Sequence, residues 1–270
     1  MTSGPDQISP RRHPAASTGR ETRSLLNGLT LLQAVAQHQP IGVGDLSRVL
    51  GVPKSSAQRS LLTLESEGWL QRADAHSRWQ VGPSVFALTG VVGASADLKT
   101  RARPAMQWLV EQLNETIHLT VPVPASRSAV LVERVECDQV IRSMHPIGTA
   151  FPMHCTAAGK ALLAVTGQGA LEHYLEQPLE RYTDRTITDA DLLRKELTGI
   201  PTLGYALNIG ENTNEVASFA APVFDMRGQA EAAIAVSMPR ARYVETDAGN
   251  IGQLVAEAAR RASCTPGIES

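Results

Sequence analysis

The stretch that most restricts what this chain can fold into is GVPKSSAQRSLLTLESEGWLQR, residues 51–72. A short apolar-periodic run precedes it at 44–50, with Leu46, Val49 and Leu50 as its buried candidates. Gly51 stands where a helix end favours a left-handed residue. Val52 is apolar and plugs the turn, and Pro53 suits the start of a helix, where its missing N–H costs nothing. The next helix spans about 53–67 and stops at Gly68. At about 100° per residue, Ala57, Leu61 and Leu64 share one face, while Ser55, Arg59 and Ser66 lie opposite with Ser56 and Gln58 on the flanks. Leu62 also points outward, which a purely solvated face does not explain. Upstream, residues 24–38 place Leu25, Leu29, Leu32 and Ala36 on one helix face, ended by Pro40. Downstream, WLQR at 69–72 and RWQV at 78–81 read as strands joined by ADAHS. Helix, helix, tight turn, helix and ribbon, in that order, describe a winged helix-turn-helix over 23–83.

In that geometry the third helix enters a DNA major groove with its N-terminal end. Arg59 can pair bidentately with guanine and Gln58 with adenine. Ser55, Ser56 and the free N–H groups of the first turn can hold a phosphate, and Lys54 adds a phosphate contact without sequence information. Arg72 and Arg78 on the wing would grip the flanking backbone or minor groove. Any one of these residues could equally be the wet side of a surface helix; the ordered set carries the reading. Charge agrees in sign. Residues 1–83 hold nine Lys/Arg against six Asp/Glu, and the rest holds sixteen against twenty-one. A basic front and an acidic back point to two jobs on one chain, although ordinary variation produces asymmetries of this size.

Residues 1–22 are rich in Pro, Ser and Arg, lack the apolar block of a secretory signal, and read as a disordered arm. No apolar run approaches the roughly 18 residues of a membrane helix. Three widely spaced cysteines, Cys137, Cys155 and Cys264, fit a reducing compartment and hence the cytoplasm. Residues 84–98 form an apolar linker helix in which Phe86, Leu88, Val91 and Val92 pack either on a second subunit or within the chain. A new helix follows over about 100–114, with Met106, Leu109, Val110 and Leu113 buried.

The period then changes to two. In TIHLTVPV, Ile117, Leu119, Val121 and Val123 alternate with His118, Thr120 and Pro122. Further strands are expected at 129–133, 140–144, 204–207, 216–224 and 232–237, the last two joined by a turn at 225–228. Helices fall at 157–165, 189–198 and 247–262, with Thr188 and Asp191 as a capping box for the second. Residues 99–264 therefore read as an α+β domain with a mainly antiparallel sheet and helices on its faces, followed by a tail at 265–270.

FPMHCTAAGKALLA at 151–164 is the most chemical-looking segment. Its GK is not a phosphate loop, because His154 stands where the first glycine belongs and Ala161 where Ser or Thr would bind magnesium. A metal set of His154 and Cys155 with His118, His145 or Cys137 lacks any recognisable ligand spacing. A Cys155–His154 catalytic pair fails because adjacent side chains diverge and no orienting acid is evident. Neither a metal nor a cofactor is expected. What remains is a helix start of small residues, Thr156, Ala157, Ala158 and Gly159, where a carboxylate can approach free backbone N–H groups. Close helix-to-sheet packing would use the same small residues.

Taken together, GVPKSSAQRSLLTLESEGWL, RWQVG, RARPAMQWLVEQLNETIHL, GTAFPMHCTAAGKALLA, GYALNIGENTNEVASFAAPVFDMRG and AAIAVSMP resemble the IclR family of bacterial transcriptional regulators from about residue 24 to 261. The resemblance implies a GAF-like effector domain behind the winged helix, homodimers or homotetramers, palindromic double-stranded DNA operators, and control by small metabolites, often organic or aromatic acids. It places effector contacts at Ala157, Ala158, Asn208, Val216, Ser218, Ala235 and Ser237. The sequence departs from the family's frequent pattern at Gln58-Arg59-Ser60, at Ser218 in place of a common cysteine, and at Asn208-Ile209-Gly210-Glu211 in place of an acidic run. The implied function is a ligand-responsive repressor without enzymatic activity. The other readings are an architectural DNA-binding protein whose second domain only oligomerises, and an enzyme with an accessory DNA-binding module.

Overall fold

A computed structural model describes residues 22–73, 77–85 and 93–264, which fall into two compact units divided after Gly93. The expected arm, the middle of the ADAHS loop, most of the apolar linker (Phe86, Leu88, Val91 and Val92 included) and the tail lie outside the described residues.

In the first unit, α1 (Arg23–His38), α2 (Val43–Leu50) and α3 (Lys54–Ser66) precede a two-stranded antiparallel ribbon of β1 (Leu70–Arg72) and β2 (Trp79–Val81). Gly51 ends α2 at φ +64°, a backbone state that a side chain would strain, and its N–H donates to the Ser47 carbonyl. Ser47 Oγ donates to the Val52 carbonyl at 2.6 Å, which closes the turn. The core joins Leu31, Ala34 and Val35 of α1 to Leu46, Ala57, Leu61, Leu70 and Trp79. Trp79 also exchanges backbone hydrogen bonds with Ile41, so the ribbon is tied to the α1–α2 connection.

The α1 face differs from the sequence expectation. Leu25 and Leu29 are 62% and 50% exposed and Ala36 is exposed; only Leu32 of that set is partly buried. Leucines at 25, 26, 29, 31 and 32 allow two overlapping stripes, and the core takes the one running through Leu31, Ala34 and Val35. Val49 is likewise exposed, while Leu46 is buried and Val43 and Leu50 of the same helix pack against the core. Leu62 does face outward.

The second unit is an α+β domain. A six-stranded, wholly antiparallel sheet runs in the order β5-β4-β3-β8-β7-β6, built from β3 (Thr116–Val123), β4 (Ser128–Val135), β5 (Ala150–Pro152), β6 (Ala206–Ile209), β7 (Val216–Phe224) and β8 (Ala230–Pro239). One face packs on α4 (Gly93–Leu113) and α8 (Ala248–Ala262) through Leu98, Met106, Leu109, Phe219, Ile234 and Val255. The other lies under α5 (Ala157–Ala164) and α7 (Ala190–Leu203), with α6 (Gln168–Leu175) beside them. Both faces being covered, the polar half of the TIHLTVPV alternation is buried as well.

Several boundaries move. The helix expected from residue 100 begins at Gly93 as part of one continuous α4. Residues 140–144 are not a strand: the short β5 pairs with Ser128–Val130 at the outer edge of β4, and Val140, Ile141 and Met144 are exposed. The strand expected at 204–207 starts at Ala206, since Gly204 ends α7 in the left-handed region at φ +83°. The cap of α7 is Asp189, whose carboxylate accepts from Leu192 N–H at 2.9 Å, while Thr188 Oγ1 accepts from Arg181. Helix α6 had no expectation; its apolar residues are too few over one short run to register as a period.

Candidate functional site

On the first unit, the predicted recognition residues share the outer side of α3. Lys54, Ser55 and Arg59 are exposed, Ser56 and Gln58 half-buried, with Ala57 and Leu61 on the inner side. Pro53 caps the helix, and its carbonyl accepts from Ser56 and Ala57, so the side chains of the first turn stay directed outward. Arg72 is different. Its guanidinium stacks 3.7 Å above the Trp79 ring and pairs with Glu65 of α3 at 3.2 Å, so it braces the wing against the helix. Arg78 immediately precedes the returning strand and is exposed.

On the second unit, strand register assembles a pocket. Asn208 faces Ser218 and Ser218 faces Ser237, a polar row across β6, β7 and β8. The adjacent row reads Ala206, Ala220, Ala235 and then His118. Small alanines let α5 approach the sheet, and its start rests over the polar row. The resulting pocket is lined by Ala157, Ala158, Asn208, Val216, Ser218, Ala235 and Ser237, all named from sequence. Its empty space of about 520 Å³ includes the open mouth.

Gly159 is the exception. A Cβ there would lie 2.2 Å from Met153 Cα and 2.3 Å from its carbonyl oxygen, so this glycine serves close packing on the preceding loop. Its N–H is also taken, donating to Thr156 Oγ1 at 3.2 Å. The N–H groups of Ala157 and Ala158, in the first turn, have no intrahelical acceptor and point to the pocket end of α5.

The wall contains further residues absent from the sequence-based set: His118, Thr120, His145, Phe151, Asn212 and Thr213. The polar half of the β3 alternation marked the first two; Phe151 comes from β5, and loops bring in His145, Asn212 and Thr213. Burial, then the proximity of His145 and Arg134, pushes the His118 imidazole down to about 3. Its ring lies 6.0 Å from that of His145, which packs edge-on against Phe151 at 4.9 Å.

Behind the pocket sits a buried charge cluster. Lys160 is wholly buried and donates to Glu196 at 2.5 Å and to Glu211 at 2.6 Å. Burial holds the Glu211 carboxyl above its ordinary range, against the pull of Lys160. Asn208 links cluster and pocket, accepting from Glu211 N–H at 2.9 Å and donating to Ser218 Oγ at 3.2 Å. The GK pair thus has structural roles, a glycine for packing and a lysine for an ion cluster.

The residues weighed for a metal are dispersed. His154 Nε2 meets the Glu180 carbonyl at 2.8 Å, Cys155 lies 3.8 Å from Asn212 Oδ1, and Cys137 lies 3.5 Å from Thr116 Oγ1. Burial, chiefly, raises the Cys155 thiol to about 12, so it is not a nucleophile at neutral pH. Among the described residues no group of three or more His, Cys, Asp or Glu could hold a metal ion, and no helix is long and apolar enough to cross a membrane.

Comparison with known proteins covers both units. Residues 91–264 match the bacterial transcriptional regulator IclR C-terminal domain, and residues 24–74 the IclR helix-turn-helix domain. The chain is 34% identical over 243 residues to the HTH-type transcriptional regulator BhcR of Paracoccus denitrificans, covering 89% of this chain and 86% of the relative. It is 28% identical over 261 residues to the transcriptional repressor IclR of Escherichia coli, covering 95% of each. The fold matches an IclR homolog from Microbacterium hydrocarbonoxydans, solved in complex with 4-hydroxybenzoate, at a TM-score of 0.72 and 22% identity, covering 88% of this chain and 97% of that one.

Proposed function

The chain belongs to the IclR family of bacterial transcriptional regulators, and from that premise we propose that it is an operator-binding repressor whose hold on DNA is set by a small organic or aromatic acid in the pocket at the start of α5. The observation that carries the proposal is the pocket itself. The unpaired N–H groups of Ala157 and Ala158 and the hydroxyls of Ser218 and Ser237 converge there without a nucleophile, a paired acid and base or a metal set. Such a site binds an anion and has no evident means of transforming it. The 4-hydroxybenzoate held by a protein of the same fold is an acid of the kind proposed.

The recognition surface is the N-terminal half of α3. Arg59 and Gln58 read base edges, Ser55, Ser56 and Lys54 position the helix on phosphates, and Arg78 contacts the flanking strand. Arg72 acts mainly by holding the wing. Residues 23–83 bind DNA, 84–98 link, and 99–264 receive the effector. A single short helix reads few base pairs, so operator specificity calls for a homodimer or tetramer on a palindromic site in cytoplasmic double-stranded DNA.

A genome-fragment binding selection with purified protein, repeated with aromatic and short organic acids, tests the whole reading. A palindromic site whose occupancy changes with one acid is the expected result. Specific sites indifferent to every acid would favour an architectural role in which the second unit only oligomerises, and turnover of a bound acid would revive the enzyme reading. The absence of any specific site would reduce Arg59 and its neighbours to a solvated helix face.

A further inference from the structure

We infer that His118 is a ligand-reading residue, and that the effector carries, besides its carboxylate, an uncharged hydroxyl or carbonyl group that hydrogen-bonds to His118 Nε2. This rests on the effector reading of the pocket and specifies what that reading leaves open.

The argument starts from an unmet hydrogen bond. His118 sits in the middle of β3, only 3% exposed, and its Nε2 is a buried polar atom without a hydrogen-bond partner. Buried polar groups are nearly always paired, and leaving one unpaired is costly. Other atoms share this state among the described residues, including Arg101 Nε, Arg127 Nε and Glu211 Oε2, but those side chains are not on the pocket wall, whereas His118 is. A packing role would be met by an apolar residue, as at Ile117 and Leu119 on the opposite face of the same strand.

Register then places the atom relative to the rest of the ligand. His118 pairs with Ala235, and Ser237 stands one sheet row further along β8. Two residues along a strand span about 7 Å. The anion-binding end, formed by Ser218, Ser237 and the α5 start, is therefore separate from the imidazole. Ala235, with only a methyl group, lines the pocket beside His118. One ligand can place its carboxylate at the first and a second polar group at the other.

The chemistry of the ring selects the nature of that group. Burial and the neighbouring Arg134 and His145 oppose a charged imidazole, so His118 is neutral at physiological pH. A neutral imidazole presents either a donor or an acceptor at Nε2, and a hydroxyl can answer both. A ligand lacking the second group would leave Nε2 buried and unpaired, which is the means by which polar pockets reject apolar analogues.

The test uses the full-length protein and matched acids: acetate with glycolate, propionate with 3-hydroxypropionate, and benzoate with 4-hydroxybenzoate. Calorimetric titration gives Kd for each. The expected result is that, in at least one pair, the hydroxylated acid binds about tenfold more tightly or better, the range a buried hydrogen bond supports. His118→Ala should reduce that ratio to near one, and the imidazole Nε2 resonance of the native protein should shift only with the hydroxylated member. The inference is overturned if both members of every pair that binds have equal Kd, or if the ratio survives in His118→Ala. If the variant does not fold, the Nε2 resonance of the native protein decides: a shift with the hydroxylated acid alone supports the assignment, and the same response to both members of a pair overturns it. Binding of none of the acids at millimolar concentration would overturn the effector reading itself, a different outcome from equal binding within pairs.

Discussion

Replacing Lys160 with methionine probes the charge cluster behind the pocket most directly. The ammonium is fully buried and lies 2.5 Å from Glu196 and 2.6 Å from Glu211. The two partners are not equivalent: the Glu196 side chain is 34% exposed and can turn to water, whereas that of Glu211 is 11% exposed and cannot. The cost of Lys160→Met therefore falls on Glu211, whose Oε2 already lacks a partner. Removing one member of a buried pair costs about 3–5 kcal/mol, because the other charge is left in low dielectric. Urea unfolding followed by circular dichroism should show a loss of that size at pH 7.5. Adding Glu211→Gln should recover most of it, because an amide needs no counter-ion; Glu196→Gln should recover little. The pH dependence has a definite sign. Without Lys160 the folded-state pKa of Glu211 lies further above its unfolded value. The favourable contribution of its proton is present in acid and lost as pH rises through the folded pKa. The deficit of Lys160→Met relative to the native protein should thus be smaller at pH 5 than at pH 7.5. A deficit under about 1 kcal/mol, or a double variant no more stable than the single one, would refute the reasoning.

Other expectations follow from the same structure. Arg59→Ala should weaken operator binding by about 1–3 kcal/mol and relax one operator position in a gel-shift series over single-base variants, whereas Lys54→Ala should weaken all sites alike. Gly159→Ala should lower stability by about 1–3 kcal/mol on thermal melting, because the new Cβ meets the backbone of Met153, which cannot give way as a flexible side chain would; the helix-propensity gain of up to about 1 kcal/mol is smaller than a backbone clash. His118, held near 3 when folded against an ordinary 6.5, takes up its proton only in the unfolded chain between those values. Stability should consequently fall as pH drops below 6.5, by about 1.4 kcal/mol per unit from this residue, and His118→Asn should flatten the decline between pH 6.5 and 5.

The exposed apolar residues mark where one-dimensional patterns reach their limit. Leu25, Leu29 and Val49 satisfied a helical period yet face outward, because a period identifies a stripe and not the partner that covers it. The apolar run at 140–144 looked like a strand, yet it pairs with no strand, while the short β5 pairs with Ser128–Val130 of β4. Edge occupancy is a long-range fact.

Local chemistry, by contrast, was legible in the residues themselves. The turn at Gly51-Val52-Pro53, the outward set from Lys54 to Arg59, the β7–β8 hairpin and the helix start at Ala157 all depend on backbone preferences within a few positions, which the sequence states directly. The pocket residues Asn208, Val216, Ser218, Ala235 and Ser237 came from family resemblance, and strand register explains why they meet. His118 was visible as the polar partner in an alternation, but a polar residue in a strand ordinarily faces water. Only the second layer of helices turned that face into an interior, and so made an unpaired imidazole nitrogen a feature of a binding site. The same burial gave Lys160 its two carboxylates from α7 and from the loop after β6. Sequence by itself determined most of the elements and the chemistry they carry, but not α6 or the Asp189 cap of α7. Tertiary structure decided which of those groups lose their water, since burial is a property of what packs against a residue and not of the residue.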